Sequence, residues 1–479
     1  MCGFIGVAGL QDVAPMVATG LAAIQHRGQD ACGIGTVEQG RVHLHKDLGL
    51  VSTVFGGSSG ERLASLRGRA GIGHVRYPTV GAGLRADAQP FHTRRPGVLM
   101  AHNGNVTNLD ELGRWLGERG VRVQSGCDVE PIMLVFAESL AALRHEPITD
   151  DDVCSAVAEV FLRVRGAYTC VALLEVNGVE TLVAFRDPHG IRPGCYGSLP
   201  DGSWIAASES VALDALGAQR VADLPPGAVV FLTAGALPRV RPVESRAVRS
   251  CVFERIYFAR PDSLMEGGRV YEQRWKMGVA LGEEWRARGL EADVVVPVPD
   301  TSRPAAQALA ETLGLPLREG FIKNRYSGRT FIMPDAATRQ ATLRLKLNPI
   351  PEIFEGKRVI LVDDSVVRGT TVRRLSDMVR TIQPAEVHLA VFSPPVRHPC
   401  FYGIDMPSRN ELVAARLGPE QWPAAFGCDT VTFLSVEGLR KVAGPDTCRA
   451  CFDGDYVVPL VAEEQSRIVE DRARIATRV

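Results

Sequence analysis

Val359-Ile360-Leu361-Val362-Asp363-Asp364-Ser365-Val366-Val367-Arg368-Gly369-Thr370-Thr371 runs from an apolar, β-branched stretch into two acids and then into a loop of hydroxyls and glycine. That order decides the fold of the second half. A short apolar run of this kind is a buried strand, and the spacing from Val372 to Ile382 predicts an amphipathic helix directly after the loop. A parallel strand delivers its carboxyl end to a ligand crevice. There the acids can hold ribose hydroxyls or a hydrated Mg2+, and the loop amides with the helix N-terminus can bind phosphate. A second strand, Asp293 to Val298, follows an amphipathic helix over Val270 to Arg288 and ends in Pro299-Asp300-Thr301-Ser302-Arg303-Pro304. Helix, strand and loop alternate as an α/β sheet requires. A bare Asp-Asp is as readily a solvated turn; the strand before it and the glycine loop after it favour a ligand site.

At the other end of the chain, Met1 to Gly9 reads MCGFIGVAG, an apolar run that enters a sheet and holds the terminus in the fold. Removal of Met1 leaves Cys2 with a thiol and a free α-amino group. That amine titrates near pH 8 (roughly 7.7 to 8.0) and can shuttle the thiol proton within one residue. Downstream stand His26-Arg27-Gly28-Gln29-Asp30, Gly71 to Tyr77, Ala101-His102-Asn103-Gly104-Asn105 and Gly126-Cys127-Asp128. The chemistry suggested is hydrolysis of the glutamine side-chain amide. Asn103 and Gly104, in a glycine-permissive turn, supply donors for the oxyanion. Arg76 suits a bidentate grip on the α-carboxylate, and Asp128 suits the α-ammonium.

Cys2-Gly3, HRGQD, GHVRYPTVG through Gly81, QPF at Gln89 to Phe91 and AHNGN together resemble the glutaminase domain of the N-terminal-nucleophile amidotransferases. Arg186-Asp187-Pro188-His189-Gly190-Ile191-Arg192-Pro193 and Ala207-Ser208-Glu209-Ser210 resemble its amidophosphoribosyltransferase branch. The run from Asp363 resembles the phosphoribosyl pyrophosphate (PRPP) loop of type I phosphoribosyltransferases. That likeness implies PRPP contacts from Asp363, Asp364, Ser365, Val366, Val367, Arg368, Gly369, Thr370 and Thr371, and Mg2+ at Thr301, Asp363 and Asp364. Pro299 to Pro304 resembles the pyrophosphate-side loop, whose expected pattern is Pro-Asp-Ser-Gly; Ser302 replaces the glycine. Lys323 to Phe331 resembles the flexible loop that closes over PRPP, with Lys323, Arg325, Tyr326 and Arg329 as its ligands. Beyond it Met333 and Ala336 stand where the family has glutamines, whereas Arg339, Lys346 and Asn348 fit.

The implied fold is α/β with an α+β N-terminal part. A four-layer αββα N-terminal-nucleophile glutaminase domain over residues 2–240 precedes a type I phosphoribosyltransferase domain over 250–479. The boundary falls in the Pro/Arg-rich stretch from Gly235 to about Ser250, after a strand-like Ala228 to Leu232. The implied reaction converts L-glutamine, PRPP and water to 5-phosphoribosylamine, glutamate and pyrophosphate, the opening step of de novo purine synthesis. The resemblance also implies purine-nucleotide feedback inhibitors and a homotetramer. A paralogue serving a specialised pathway and a non-catalytic PRPP-binding regulator stay open as alternatives. An amidotransferase forming glucosamine 6-phosphate would share the first half but has no use for the run from Asp363.

The chain has 11 cysteines, an odd number that cannot pair fully. Cys448-Arg449-Ala450-Cys451 puts two thiols in reach of one metal, and Cys251 and Cys400 complete a set whose contexts resemble the amidophosphoribosyltransferases that hold a [4Fe-4S] cluster. Four thiolates suit such a cluster or a structural Zn2+, and free buried thiols are the third reading. Cys32, Cys127, Cys154, Cys170, Cys195 and Cys428 read as small buried or turn residues. His43 and His45, in an alternating run with no third ligand nearby, read as structural. At 479 residues, 46% hydrophobic and 23% charged, the chain has ordinary globular usage for two domains. A net charge of -1 gives no footprint for nucleic acid. No apolar run approaches the roughly 20 residues of a membrane span, and a basic n-region is lacking. The expectation is a cytoplasmic enzyme with neither nucleic acid nor membrane as partner.

Overall fold

Gly3–Ala8 is buried along its whole length because it is a central strand, paired with Trp204–Ala207 on one side and Ala70–Arg76 on the other. The computed structural model describes residues 2–56, 60–77, 83–143, 145–323 and 347–476. Arg325, Tyr326, Arg329, Met333, Ala336, Arg339 and Lys346 lie outside the described residues. The central strand belongs to a seven-stranded antiparallel sheet, which faces a six-stranded one centred on Val179–Arg186 and Gly166–Val176. Alternate residues sort by face. Phe4, Ala8, Ile72, Leu99, Leu173 and Leu182 fill the space between the sheets. Ile5, Val7 and Val75 point the other way, under the helices Ala14–Ala23 and Ser210–Ala215. On the far side, Met100, Phe185 and Phe231 meet the helices Val129–Ala141 and Asp150–Arg163. The layers are therefore helix, sheet, sheet, helix.

The stretch read as a boundary contains one more strand of this part. Arg239–Pro242 pairs with Ala228–Leu232 at the sheet edge, where a proline need not donate to a ladder. The second part is built on a parallel sheet ordered Val294–Pro297, Arg358–Asp363, Glu386–Val391, Thr430–Phe433. Ile360, Val362 and Ala390 face the helices Val270–Ala287, Arg303–Leu313 and Val436–Ala443. Val359, Leu361, Val387 and Leu389 face Thr370–Arg380 and Trp422–Phe426. Burial on both faces is what makes these strands continuous apolar runs. Because Val294–Pro297 and Arg358–Asp363 are parallel neighbours, the loops carrying Thr301 and Asp364 emerge side by side.

Candidate active sites

Cys2 precedes the central strand where Gly3 pairs with Val75, so Arg76, which ends the neighbouring strand, and Tyr77 after it come beside it. The half-buried thiol lies 3.5 Å from the Tyr77 carbonyl. Two residues earlier, His74 Nε2 is bonded to the His102 carbonyl at 3.1 Å, which ties this sheet to the strand Gly97–Val106 of the other. Asn103 and Gly104 sit inside that strand, opposite Thr169 and Tyr168, and not in the turn that the sequence predicts. The glycine has a different cause: a Cβ on Gly104 would stand 2.1 Å from the Ala167 carbonyl oxygen. Close approach of the next strand excludes a side chain there. The Asn103 Nδ2 donor is buried and has no hydrogen-bond partner among the described residues. Leaving such a donor open costs about 1–3 kcal/mol, and a developing oxyanion would satisfy it.

Arg76 and Asp128 are both buried and attract each other. Arg76 Nη1 donates to Cys127 Sγ at 2.7 Å. Asp128 Oδ2 accepts the Val106 amide at 3.1 Å and lies 3.3 Å from His102 Nε2. Burial by itself would raise the Asp128 carboxyl, but His102 first, then Arg76 and the Val106 amide, hold it below its usual range. It is therefore ionised, as a partner for an ammonium must be. Burial pushes the Cys127 thiol up to about 11, so the sulfur beside Arg76 is neutral. Gln89 fixes His102: its Oε1 accepts the His102 amide at 2.8 Å, and its Nε2 is 3.2 Å from Nδ1. Sequence reading gave Gln89, His102 and Cys127 no role, although two of them lie in the quoted QPF and AHNGN motifs.

Behind the thiol is a buried charge network that no local motif announces. Arg27 Nε donates to the Cys2 carbonyl at 3.0 Å, Nη1 to Glu209 Oε1, and Nη2 to Glu254 Oε1 at 2.8 Å. Glu209 also accepts the Arg260 amide at 3.1 Å and the Ser263 hydroxyl at 2.7 Å, so it fastens the first part to the second. Burial alone would raise this carboxyl; the Arg27 charge and the bonds from His26 and Ser263 outweigh burial and hold it at about 2. A folded value below the unfolded 4.5 gives stability that is complete above pH 4.5 and lost as pH falls through about 2. The contribution is about 3 kcal/mol. Glu209→Gln is expected to cost about that much at pH 7 and to flatten this acid limb, read by urea unfolding at a series of pH values. An unchanged limb would show that the pairing contributes nothing.

In the second part, Asp363 and Asp364 close the strand Arg358–Asp363 and are both buried. Burial, and for Asp363 the adjacent Asp364 charge, push both carboxyls above their usual range. Asp364 receives hydroxyl bonds from Ser365, at 2.6 Å, and from Thr301, which brings together the residues expected to share a cation. Two adjacent buried carboxylates with so little compensation suit a dication. Mg2+ typically takes one or two carboxylates plus substrate phosphates, so no closed cage is required. Val366 and Val367 turn their side chains into the core, leaving only main chain for a ligand. Gly369 (φ 78) opens the helix Thr370–Arg380, whose first turn has no side-chain cap and so offers free N–H groups to a phosphate. A Cβ on Gly369 would also strike Phe426 at 2.8 Å.

Arg368 and Lys323, read as PRPP ligands, here engage Glu411 at 3.0 Å and Asp300 at 2.6 Å. Ser302 needs none of glycine's freedom: its φ is -82, its side chain is buried, and its hydroxyl donates to the Val298 carbonyl. Sequence reading missed Arg274, which is buried beside Asp364 and donates to the carbonyls of Arg255 at 2.8 Å and Ala259 at 2.7 Å.

Cys251, Cys400, Cys448 and Cys451 share one buried cluster, and Cys251 pairs with Cys448 in a two-residue parallel ladder. Burial, then the other three thiols, raise the Cys451 thiol. Among the described residues no three His, Cys, Asp or Glu side chains are close enough to hold one metal ion. A tetrahedral zinc needs its sulfurs roughly 3.8 Å apart. An iron–sulfur cubane spreads its thiolates wider than that. His43 and His45 lie in the strand Arg41–Leu48, with His45 edge-on to Phe55.

The glutamine amidotransferase domain family matches residues 74–215, and the phosphoribosyl transferase domain family matches residues 279–399. The two define the class, a glutamine amidotransferase joined to a phosphoribosyltransferase. The chain is 42% identical over 492 residues to the amidophosphoribosyltransferase of Pseudomonas aeruginosa, covering 100% of this chain and 97% of that one. It is 41% identical over 475 residues to that of Escherichia coli, covering 95% and 92%. Glutamine PRPP amidotransferase from B. subtilis, complexed with ADP and GMP, superposes with a TM-score of 0.85 at 35% identity, covering 96% of this chain and 98% of that one. A structure described as the allosteric regulatory enzyme of purine biosynthesis superposes with a TM-score of 0.86 at 35% identity, covering 97% of each. The chain belongs to the amidophosphoribosyltransferase family: it is a glutamine-dependent enzyme that aminates PRPP, the first step of purine synthesis.

Proposed function

We propose that Cys2, with Met1 removed, is the nucleophile of the glutaminase half-reaction and its own α-amino group the base. Arg76 holds the α-carboxylate of L-glutamine and Asp128 its α-ammonium. The thiolate attacks the side-chain amide, the oxyanion takes the open Asn103 amide beside the Gly104 main chain, ammonia leaves, and water cleaves the thioester to glutamate. The buried, open Asn103 donor at the Cys2 end of the sheets carries this reading. In the second half-reaction, ammonia attacks C1 of PRPP and pyrophosphate leaves. Ammonia is mostly protonated in water at neutral pH, so its transfer must avoid bulk solvent. The loop amides from Ser365 to Thr371 bind the 5-phosphate; Asp363 and Asp364 hold the ribose side. Mg2+ at Thr301, Asp363 and Asp364 would neutralise the leaving pyrophosphate. Lys323, Arg325, Tyr326 and Arg329 close over it, Lys323 exchanging Asp300 for phosphate. The test is PRPP-dependent glutamate release with pyrophosphate measured in parallel; glutamate without stoichiometric pyrophosphate would refute the coupling.

The four buried thiols are read as ligands of a [4Fe-4S] cluster, which would cross-link distant loops and add folding energy. Protein purified without oxygen is expected to be brown, with about four irons and four sulfides per chain, and to lose colour and thermal stability together in air. Stoichiometric zinc instead would favour the single-ion alternative. Purine nucleotides as inhibitors, a homotetramer and a cytoplasmic location complete the proposal. The first of these is supported by the B. subtilis relative complexed with ADP and GMP.

A further inference from the structure

Gln89 is buried beside His102, and the sheet puts it there. Phe91 pairs with Met100 in the antiparallel ladder of Phe91–Arg94 with Gly97–Val106, and the same register carried two residues further sets Gln89 next to His102. The contacts then fix which end of its amide is which. A main-chain N–H can only donate, so the atom that meets the His102 amide at 2.8 Å is the side-chain oxygen. The other end is the NH2 group, also a pure donor. It meets His102 Nδ1 at 3.2 Å and Cys127 Sγ at 3.5 Å, one contact for each hydrogen. A donor facing Nδ1 requires a lone pair there, since two N–H groups pointed at each other repel. The network therefore assigns a neutral imidazole with its one proton on Nε2, 3.3 Å from Asp128 Oδ2. What His102 gives Asp128 is then a hydrogen bond more than a ring charge. Both firm bonds to the carboxylate, from His102 and from the Val106 amide at 3.1 Å, fall on Oδ2. Among the described residues Oδ1 meets only the Cys127 thiol, at 3.9 Å, so one oxygen is anchored and the other is left for a ligand.

We propose that Gln89 is a positioning residue for substrate selectivity: it holds His102 in the Nε2-protonated form and so presents Asp128 as an anchored, charged acceptor for the α-ammonium of glutamine. This rests on the reading of Asp128 as the partner of that ammonium. Gln89 acts through His102 and sets how strongly the site prefers an amide that carries an α-amino group over one that does not. Without its donor the ring is free to carry a proton on Nδ1. The neutral ring then turns a lone pair toward Asp128 Oδ2, and the doubly protonated ring cancels the charge that the ammonium needs. Both forms weaken the same contact. Gln89, His102, Cys127 and Asp128 are at most 5% exposed, so bulk water is poorly placed to replace the lost donor, and the change passes along the network undiluted.

The test uses the full-length enzyme and two amides, L-glutamine and glutaramate, the same molecule without the α-amino group. Gln89→Leu removes the donor, and Gln89→Met removes it while keeping the length of the side chain. In both variants kcat/KM for L-glutamine is expected to fall about tenfold, carried by KM, whereas kcat/KM for glutaramate stays within about twofold of the parent. Synthesis from ammonia at the parent rate reports an intact second site. Asp128→Asn should remove the parent's preference for L-glutamine, and adding Gln89→Met to it should lower the rate with L-glutamine no further. Equal loss with both amides would make Gln89 a structural residue and overturn the proposal. So would an unchanged preference in both Gln89 variants, or independent, multiplying losses in the double variant. An Asp128→Asn enzyme that kept the full preference for L-glutamine would instead overturn the reading of Asp128, and the proposal with it.

Discussion

Cys2→Ala is expected to lower glutamine-dependent synthesis by about 10^4-fold or more while leaving synthesis from ammonia at high concentration largely intact. On the proposed reading the thiol acts only where the amide is cleaved, and the Asp363 to Thr371 loop proposed to bind PRPP lies at the carboxyl end of a different sheet. The fold should tolerate the change. Cys2 is half-buried, and its thiol contact is a weak one with the Tyr77 carbonyl at 3.5 Å. The contact that fastens this residue runs from Arg27 to its main-chain carbonyl, which alanine keeps. Glutamate release and phosphoribosylamine formation from each nitrogen source are measured on the same preparation. Equal loss from both would mean that the two half-reactions are not separated as the geometry has them.

How much of this was legible in the sequence follows from how local each feature is. The strand, acid pair, glycine and helix of Val359 to Thr371 are consecutive, so their order alone put a candidate ligand loop between a strand and a helix, and the resemblance supplied PRPP as its ligand. Cys2, Arg76, Asn103 and Asp128 were found through short motifs, but their secondary structure was less secure. The glycine of Asn103-Gly104 signals either a turn or a crowded strand, and only the Ala167 carbonyl across the ladder distinguishes the two. Likewise, the proline and arginines of Arg239–Pro242 suggest a linker until the edge position excuses them. The Arg27 network could not be read at all. Its partners lie 182 and 227 residues away, and a buried glutamate in Cys-Val-Phe-Glu-Arg looks like any helical surface residue until the two parts are packed together.

Asp363→Asn combined with Asp364→Asn is expected to abolish synthesis from glutamine and from ammonia alike, by about 10^3-fold or more, since both need bound PRPP and a cation. Stability should move the other way. Burial raises both carboxyls, so the ionised pair is disfavoured in the fold, and this stability is present at low pH and lost as pH rises through the raised range. The amides mimic the protonated form in shape, cannot repel each other and cannot attract Mg2+. Without Mg2+ and PRPP, the double variant should therefore be no less stable than the parent at pH 7.5, and its melting temperature should lack the parent's fall between acid and neutral pH. Arg274 does not reverse this, because its guanidinium stays bonded to the Arg255 and Ala259 carbonyls when the Asp364 charge is gone. Adding Mg2+ and PRPP should raise the melting temperature of the parent only. Ammonia-dependent turnover that survived the double substitution would place the PRPP site elsewhere. A variant that merely unfolded would show that the pair is structural, held by bonds stronger than those from Ser365 and Thr301.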